Sequence, residues 1–142
     1  MTISAILASH AHETLTAQPH ESVGEVVQRL AEHRIGALPV VDGGVVVGIF
    51  SERDIVYGVA KQGAAFLAKT VGETMTSPAI TVSGDTAILS ALSMMTKRRI
   101  RHLPVVEGER LTGFVSIGDL VKHRIEKIEA EAAAMRDYIS MA

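Results

Sequence analysis

The sequence predicts an α+β (α/β) fold made of two similar strand-helix-strand-strand-helix (β-α-β-β-α) units, closed by a long C-terminal helix. An internal repeat is the first observation behind this. Ile35 to Ile55, IGALPVVDGGVVVGIFSERDI, returns as Ile100 to Leu120, IRHLPVVEGERLTGFVSIGDL, and Pro39/Pro104, Gly48/Gly113, Ser51/Ser116 and Asp54/Asp119 each differ by 65. Without a gap, Thr16–Val56 aligns to Thr81–Val121 over 41 positions, 12 of them identical, so function belongs to the pair. Each copy also passes from helical to strand periodicity in the same order. Finally, 47% of residues are hydrophobic but only 4% aromatic, which suits an interior of Val, Ile, Leu and Ala.

Along the chain, Ile3, Ala5, Ile6 and Leu7 form an apolar cluster fit for one helical turn packed on the core. Thr14–Thr16 is a short extended segment ended by Pro19. Ser22 with Glu25 is a capping-box pair, and Val23, Val26, Val27 and Leu30 follow at the spacing of an amphipathic helix ending near Arg34. Ala37–Val41 and Val45–Phe50 flank the turn Asp42-Gly43-Gly44 and predict a hairpin. Ser51 opens a second helix running to about Gln62. In the second copy Ile80–Val82 is the first strand, and Asp85 or Thr86 caps a helix with core face Ile88, Ala91, Leu92 and Met95. Leu103–Val106 and Leu111–Val115 make the hairpin, and the last helix starts after Ser116. The expected division is residues 1–76 for repeat 1 with the N-terminal segment and linker, 77–124 for repeat 2, and 125–142 for a helical extension. Units of about 60 residues are marginal alone, so the copies are expected to share one core, sheets facing and helices outside.

Composition excludes several functions. A net charge of −2 attracts neither nucleic acid nor an anionic membrane. The absence of cysteine excludes a thiolate nucleophile, thiolate metal ligation and disulfides. No apolar run approaches the ~20 residues of a membrane span, and no signal-peptide layout opens the chain. A cytoplasmic, soluble protein is expected.

The chemistry-bearing pattern is the twin G-h-h-S-x-x-D, where h is apolar. A strand ending in Ser51 or Ser116 and passing straight into a helix sets a hydroxyl and unpaired N–H groups at a helix start, which attracts anions. Asp54 and Asp119, one turn on, can accept both hydrogen bonds of a vicinal diol. Phosphate at one end and ribose at the other is a nucleotide's requirement. The plainer alternative is that S-x-x-D is a variant capping box that only begins the helix. Arg101 and His102 stand before the second hairpin where the first copy has Gly36 and Ala37, so the two clefts are expected to be chemically unequal.

The paired h-x-x-LPVV and G-h-h-S-x-x-D segments resemble a tandem of CBS domains, named after cystathionine β-synthase, over nearly the whole chain from Thr14 to about Arg124. The resemblance implies a pseudo-twofold module whose two clefts bind adenosyl compounds such as AMP, ATP, S-adenosylmethionine or NAD(H). By it, Asp54 and Asp119 hold ribose hydroxyls and Ser51 and Ser116 contact phosphate. Thr16 and Thr81, with backbone near Ala37, Pro39, His102 and Pro104, line the adenosine. Arg101 and His102 match basic phosphate ligands of the γ subunit of AMP-activated kinase. The first copy has no basic residue at that place, and Arg53 is the available substitute.

Other signals point to structure. Lys97, Arg98 and Arg99 end a helix, where cations suit its dipole. His10 and His12 lack a second cluster of metal ligands. Val121, Ile125, Ile128, Ala132, Met135 and Ile139 step by 4, 3, 4, 3 and 4 along the last helix, a heptad seam that predicts a homodimer; the alternative is a helix folded back on its own domain. The leading expectation is a non-catalytic adenine-nucleotide sensor acting on an unidentified protein partner. A purely structural dimerisation module with vestigial clefts is the alternative, and a nucleotide-hydrolysing enzyme is disfavoured.

Overall fold

The structure, a computed structural model, describes residues 1–9 and 14–141. Helix α1 (Ile3–Ser9) is followed by α2 (Val23–His33), the hairpin β1 (Ala37–Asp42) and β2 (Val45–Ser51), and α3 (Glu52–Gln62). A 3₁₀ segment (Gly63–Ala68) and the short α4 (Val71–Thr74) lead to the second copy: α5 (Ile88–Arg98), β3 (His102–Glu107), β4 (Arg110–Ser116) and α6 (Ile117–Met141).

The caps follow local sequence in the first copy. The Ser22 side chain accepts from Glu25 N–H to start α2, and Arg34 ends it in the left-handed conformation. In the second copy the predicted cap fails, because α5 starts at Ala87 without a side-chain cap. Thr86 Oγ1 instead accepts from Ser83 N–H (3.2 Å), and the first N–H of α5, on Ile88, donates to the carbonyl of Met1 (3.2 Å). A distant backbone segment thus meets the demand that a side chain meets elsewhere.

Both hairpins pair antiparallel, and both slip register at equivalent places, Val40/Val41 and Val105/Val106. They form one sheet of order β1-β2-β4-β3, joined at Val45 and Arg110. Val46 N–H donates to Glu109 O and Leu111 N–H to Gly44 O, both at 3.1 Å. The expected facing sheets are therefore edge-to-edge hairpins. The first strand of each unit shrinks to a single parallel bridge, Ala17 to Val40 and Val82 to Val105. Extending either bridge two residues back would need an N–H on Pro39 or Pro104, and proline has none.

Instead of the expected shared core there are two. One gathers Val23, Val26, Leu30, Leu38, Val40, Phe50 and Phe66; the other Ile88, Ala91, Met95, Leu103, Val105, Val115 and Leu120. Each is completed by the segment that precedes the other repeat in sequence. Ile3 and Ile6 of α1 lie in the second core, and Val71 of α4 in the first. The exchange repeats bond for bond: Ile3 N–H to Thr86 O and Ser4 N–H to Gly84 O match Val71 N–H to Glu21 O and Gly72 N–H to Pro19 O. The N-terminal segment assigned by sequence adjacency to repeat 1 thus packs with repeat 2. The repeated glycines make room for this: a Cβ on Gly48 would stand 2.8 Å from Thr76 O, and one on Gly113 2.6 Å from Leu7 Cδ2.

Candidate functional site: two clefts between the repeats

The exchange of segments leaves two hollows, each walled by both copies. The first, about 480 Å³, brings Ser51, Arg53 and Asp54 of repeat 1 against Thr76 of the linker and Ile100, Arg101 and His102 of repeat 2. The second, about 580 Å³, brings Ser116 and Asp119 of repeat 2 against Thr14, Leu15 and Arg34 of repeat 1. Both fall within the usual range for small-molecule sites, roughly 300–1,000 Å³. Gly36, Ala37 and His102 line both.

The Ser and Asp pairs are true capping boxes. Ser51 N–H donates to Asp54 Oδ2 (2.9 Å) and Asp54 N–H to Ser51 Oγ (3.5 Å); the second copy repeats this at 2.8 Å and 3.1 Å. The first helical N–H groups, on Glu52 and Ile117, donate to Gly36 O (2.9 Å) and Arg101 O (2.8 Å). At both helix starts the first and third N–H groups are thus satisfied within the chain, so the bare N–H array expected from sequence is reduced. The Asp54 carboxylate has more lone pairs than this box uses. On Asp54 one further acceptor site is taken, since Thr76 Oγ1 donates to Oδ1 at 2.9 Å.

Of the sequence-predicted residues, Ser51, Arg53, Asp54, Arg101 and His102 meet in the first cleft, Ser116, Asp119 and His102 in the second, and Ala37 in both. Thr16, Thr81, Pro39 and Pro104 line neither. The Thr16 carbonyl accepts from Arg29 Nη1 (2.9 Å). The Pro39 and Pro104 carbonyls accept from Ala17 and Val82, each at 3.0 Å. Thr76 lines the first cleft and Thr14 and Leu15 the second, positions that periodicity had no means of finding because they depend on the exchange of segments. Arg34, in its left-handed cap position, also lines the second cleft, and no motif marks it there. His10 and His12 lie outside the described residues, among which no cluster of three or more His, Asp or Glu is placed to hold a metal.

His102 is the hinge of the electrostatics. Its ring stacks on Phe114 with centroids 5.5 Å apart and planes 9° apart. Burial pushes its pKa below the ordinary 6.5, against the pull of Asp119 and Glu52 and with the help of Arg101.

A family model described as the CBS domain matches residues 7–61 and 71–126. The chain belongs to the CBS domain family. Its 124-residue match to the mitochondrial CBS domain-containing protein CBSX3 of Arabidopsis thaliana is 36% identical and covers 84% of this chain but 60% of that one. The crystal structure of the CBS-domain protein ATU1752 from Agrobacterium tumefaciens superposes with a TM-score of 0.82 at 41% identity, covering 87% of this chain and 99% of that one. The CBS domain pair of protein MJ0100, solved in complex with 5′-methylthioadenosine and S-adenosyl-L-methionine, gives a TM-score of 0.78 at 29% identity, covering 89% and 98%. In this CBS pair, no helix among the described residues is long and apolar enough to cross a membrane.

Proposed function

We propose that this CBS pair is a non-catalytic regulatory module that binds an adenosyl ligand, AMP, ATP or NAD(H), in the clefts between its repeats. The observation that carries this is that two clefts of nucleotide size each present a Ser/Asp pair of one repeat to backbone and cations of the other. Asp54 and Asp119 would accept the ribose diol, with Thr76 yielding its bond to Asp54. Arg53 and Arg101 would take phosphate in the first cleft. The adenosyl ligands of the MJ0100 pair support the ligand class. Titration calorimetry with AMP, ATP and NADH is expected to give heat with at least one of them and weaker binding in Asp119→Ala. Silence with all three sinks the proposal.

A second reading is favoured by the intact capping boxes, whose Oδ2 atoms both face their own main chain. It makes the pair a structural dimerisation module with vestigial clefts. It requires a thermal midpoint indifferent to nucleotide, whereas a binder gains RT ln(1 + [L]/Kd). Self-association belongs to either reading. On α6 only Leu120 is buried, while Ile125, Ile128, Met135 and Ile139 are 48–65% exposed, so this seam is not folded back on its own domain. A second copy is its natural cover.

A further inference from the structure

Helix α6 leaves its own domain early. Leu120 is its one buried side chain, His123, Arg124 and Lys127 are half-buried, and every described residue from Ile128 to Met141 is exposed. The family match ends at residue 126, so the free part of the helix lies beyond the family's own fold. Along the seam, Val121, Ile125, Ile128, Ala132, Met135 and Ile139 take heptad positions d, a, d, a, d and a. The flanking e positions are then Lys122, Glu129 and Arg136, and the g positions Arg124, Glu131 and Tyr138. Apolar layers alone do not choose how two copies of this helix pair. A parallel pair stacks each seam residue on its own copy; an antiparallel pair sets Ile125 on Met135, Ala132 on Ile128 and Val121 on Ile139, which also covers the whole seam. The flanking charges do choose. In parallel register Arg124 meets Glu129 of the second copy and Glu131 meets Arg136, each twice by symmetry, and every contact is unlike in sign. In the antiparallel pair e faces e and g faces g, so Lys122 meets Arg136 twice while Glu129 and Glu131 each meet themselves, and every charged contact is alike in sign. Sliding the antiparallel pair by one heptad relieves this only by giving up seam: one direction carries Ile139 past the start of the partner's α6, and the other carries Val121 and Ile125 beyond the partner's seam.

We propose that α6 joins two copies of this chain as a parallel, in-register pair, with Arg124, Glu129, Glu131 and Arg136 selecting that orientation. An exposed ion pair is weak by itself. Here the pairs act together to separate two arrangements that the apolar seam leaves alike, which is how e and g charges direct helix pairing. The capping boxes that open α6, Ser116 with Asp119, then stand at the same end of the helix pair in both copies. Antiparallel pairing would hold them roughly 30 Å apart, at about 1.5 Å of rise per residue. The inference rests on the self-association reading and is independent of what the clefts bind.

The chain has no cysteine, so introduced thiols report alone. Met135→Cys in the full chain should give a covalent dimer on mild oxidation, because parallel register brings the two thiol-bearing residues within the roughly 4.4–6.8 Å between Cα atoms that a disulfide needs. In the antiparallel pair they would lie roughly 15 Å apart along the axis, and Met135→Cys would link instead to Ile125→Cys when the two variants are mixed. Arg136→Glu asks the same question by charge. In the parallel pair it turns two unlike contacts into like ones and should raise the dimer dissociation constant roughly 5-fold or more in sedimentation equilibrium; adding Glu131→Lys should restore it. In the antiparallel pair the new carboxylate would face Lys122 and tighten the dimer. Self-linking of Met135→Cys together with weakening by Arg136→Glu supports the inference. Linking only between Met135→Cys and Ile125→Cys, or an Arg136→Glu dimer that is tighter or unchanged, overturns the orientation and leaves self-association standing. An unaltered protein that sediments as a monomer removes the self-association reading and this inference with it. Arg136 is exposed, so the charge measurement holds even where a thiol in the seam disturbs the pairing.

Discussion

At the scale of single residues, Arg34 and Arg99 occupy a backbone region that costs a side-chain-bearing residue about 1 kcal/mol relative to glycine. Arg99→Gly should therefore raise the thermal midpoint by roughly 3–5 °C and leave ligand affinity alone. Arg34→Gly should give the same gain in stability. His102 makes a pH prediction. Its folded pKa is lowered, so just below the ordinary 6.5 the unfolded chain binds more protons than the folded one. Stability should rise with pH up to about 6.5 and then level, as far as this group contributes. His102→Phe should flatten that rise in thermal midpoints taken across the window. The groups bearing on His102 are Asp119, Glu52 and Arg101. A phosphate beside them favours the imidazolium, so AMP should bind more tightly as pH falls toward 6; a flat pH profile in calorimetry would remove His102 from the site.

At the scale of elements, the strand-to-helix joint carries two duties in one geometry. The bond from Ser N–H to Asp Oδ2 begins α3 and α6 and also holds each carboxylate at its cleft. Asp54→Asn should then cost about 0.5–2 kcal/mol in chemical unfolding and weaken nucleotide binding further in the first cleft. A loss of stability with full affinity would leave the capping box as its only role. α6 runs for 25 residues with one buried side chain, and an isolated helix of that length in water depends on packing for its stability. Ile128→Glu, at the middle of the seam, should shift the protein to monomer in light scattering while the clefts still bind. An unchanged mass would place self-association elsewhere.

At the scale of the whole molecule, the exchange of α1 and α4 makes the repeats inseparable. Ile6, 2% exposed, belongs to the core of a repeat that starts some 70 residues later in the chain. Ile6→Ala should cost about 2–5 kcal/mol. It should loosen the second cleft more than the first, visible as faster amide exchange at Val105 and Val115 than at Val40 and Phe50. The clefts share Gly36, Ala37 and His102.

Much of this was legible in the sequence because it is local. Helix starts, hairpins and the Ser/Asp pairs depend on residues three or four apart, and the offset of 65 states that they occur twice. Tertiary structure alone decided which segment completes which core and which residues face which cleft. Pro39 and Pro104 removed the donors that a first strand needed, Met1 capped a helix that its own side chains do not cap, and Arg34 reached a cleft where register placed no charge. The physical reason is that backbone groups and buried apolar surface take whichever partner packing brings near, and in a tandem that partner lies in the other copy.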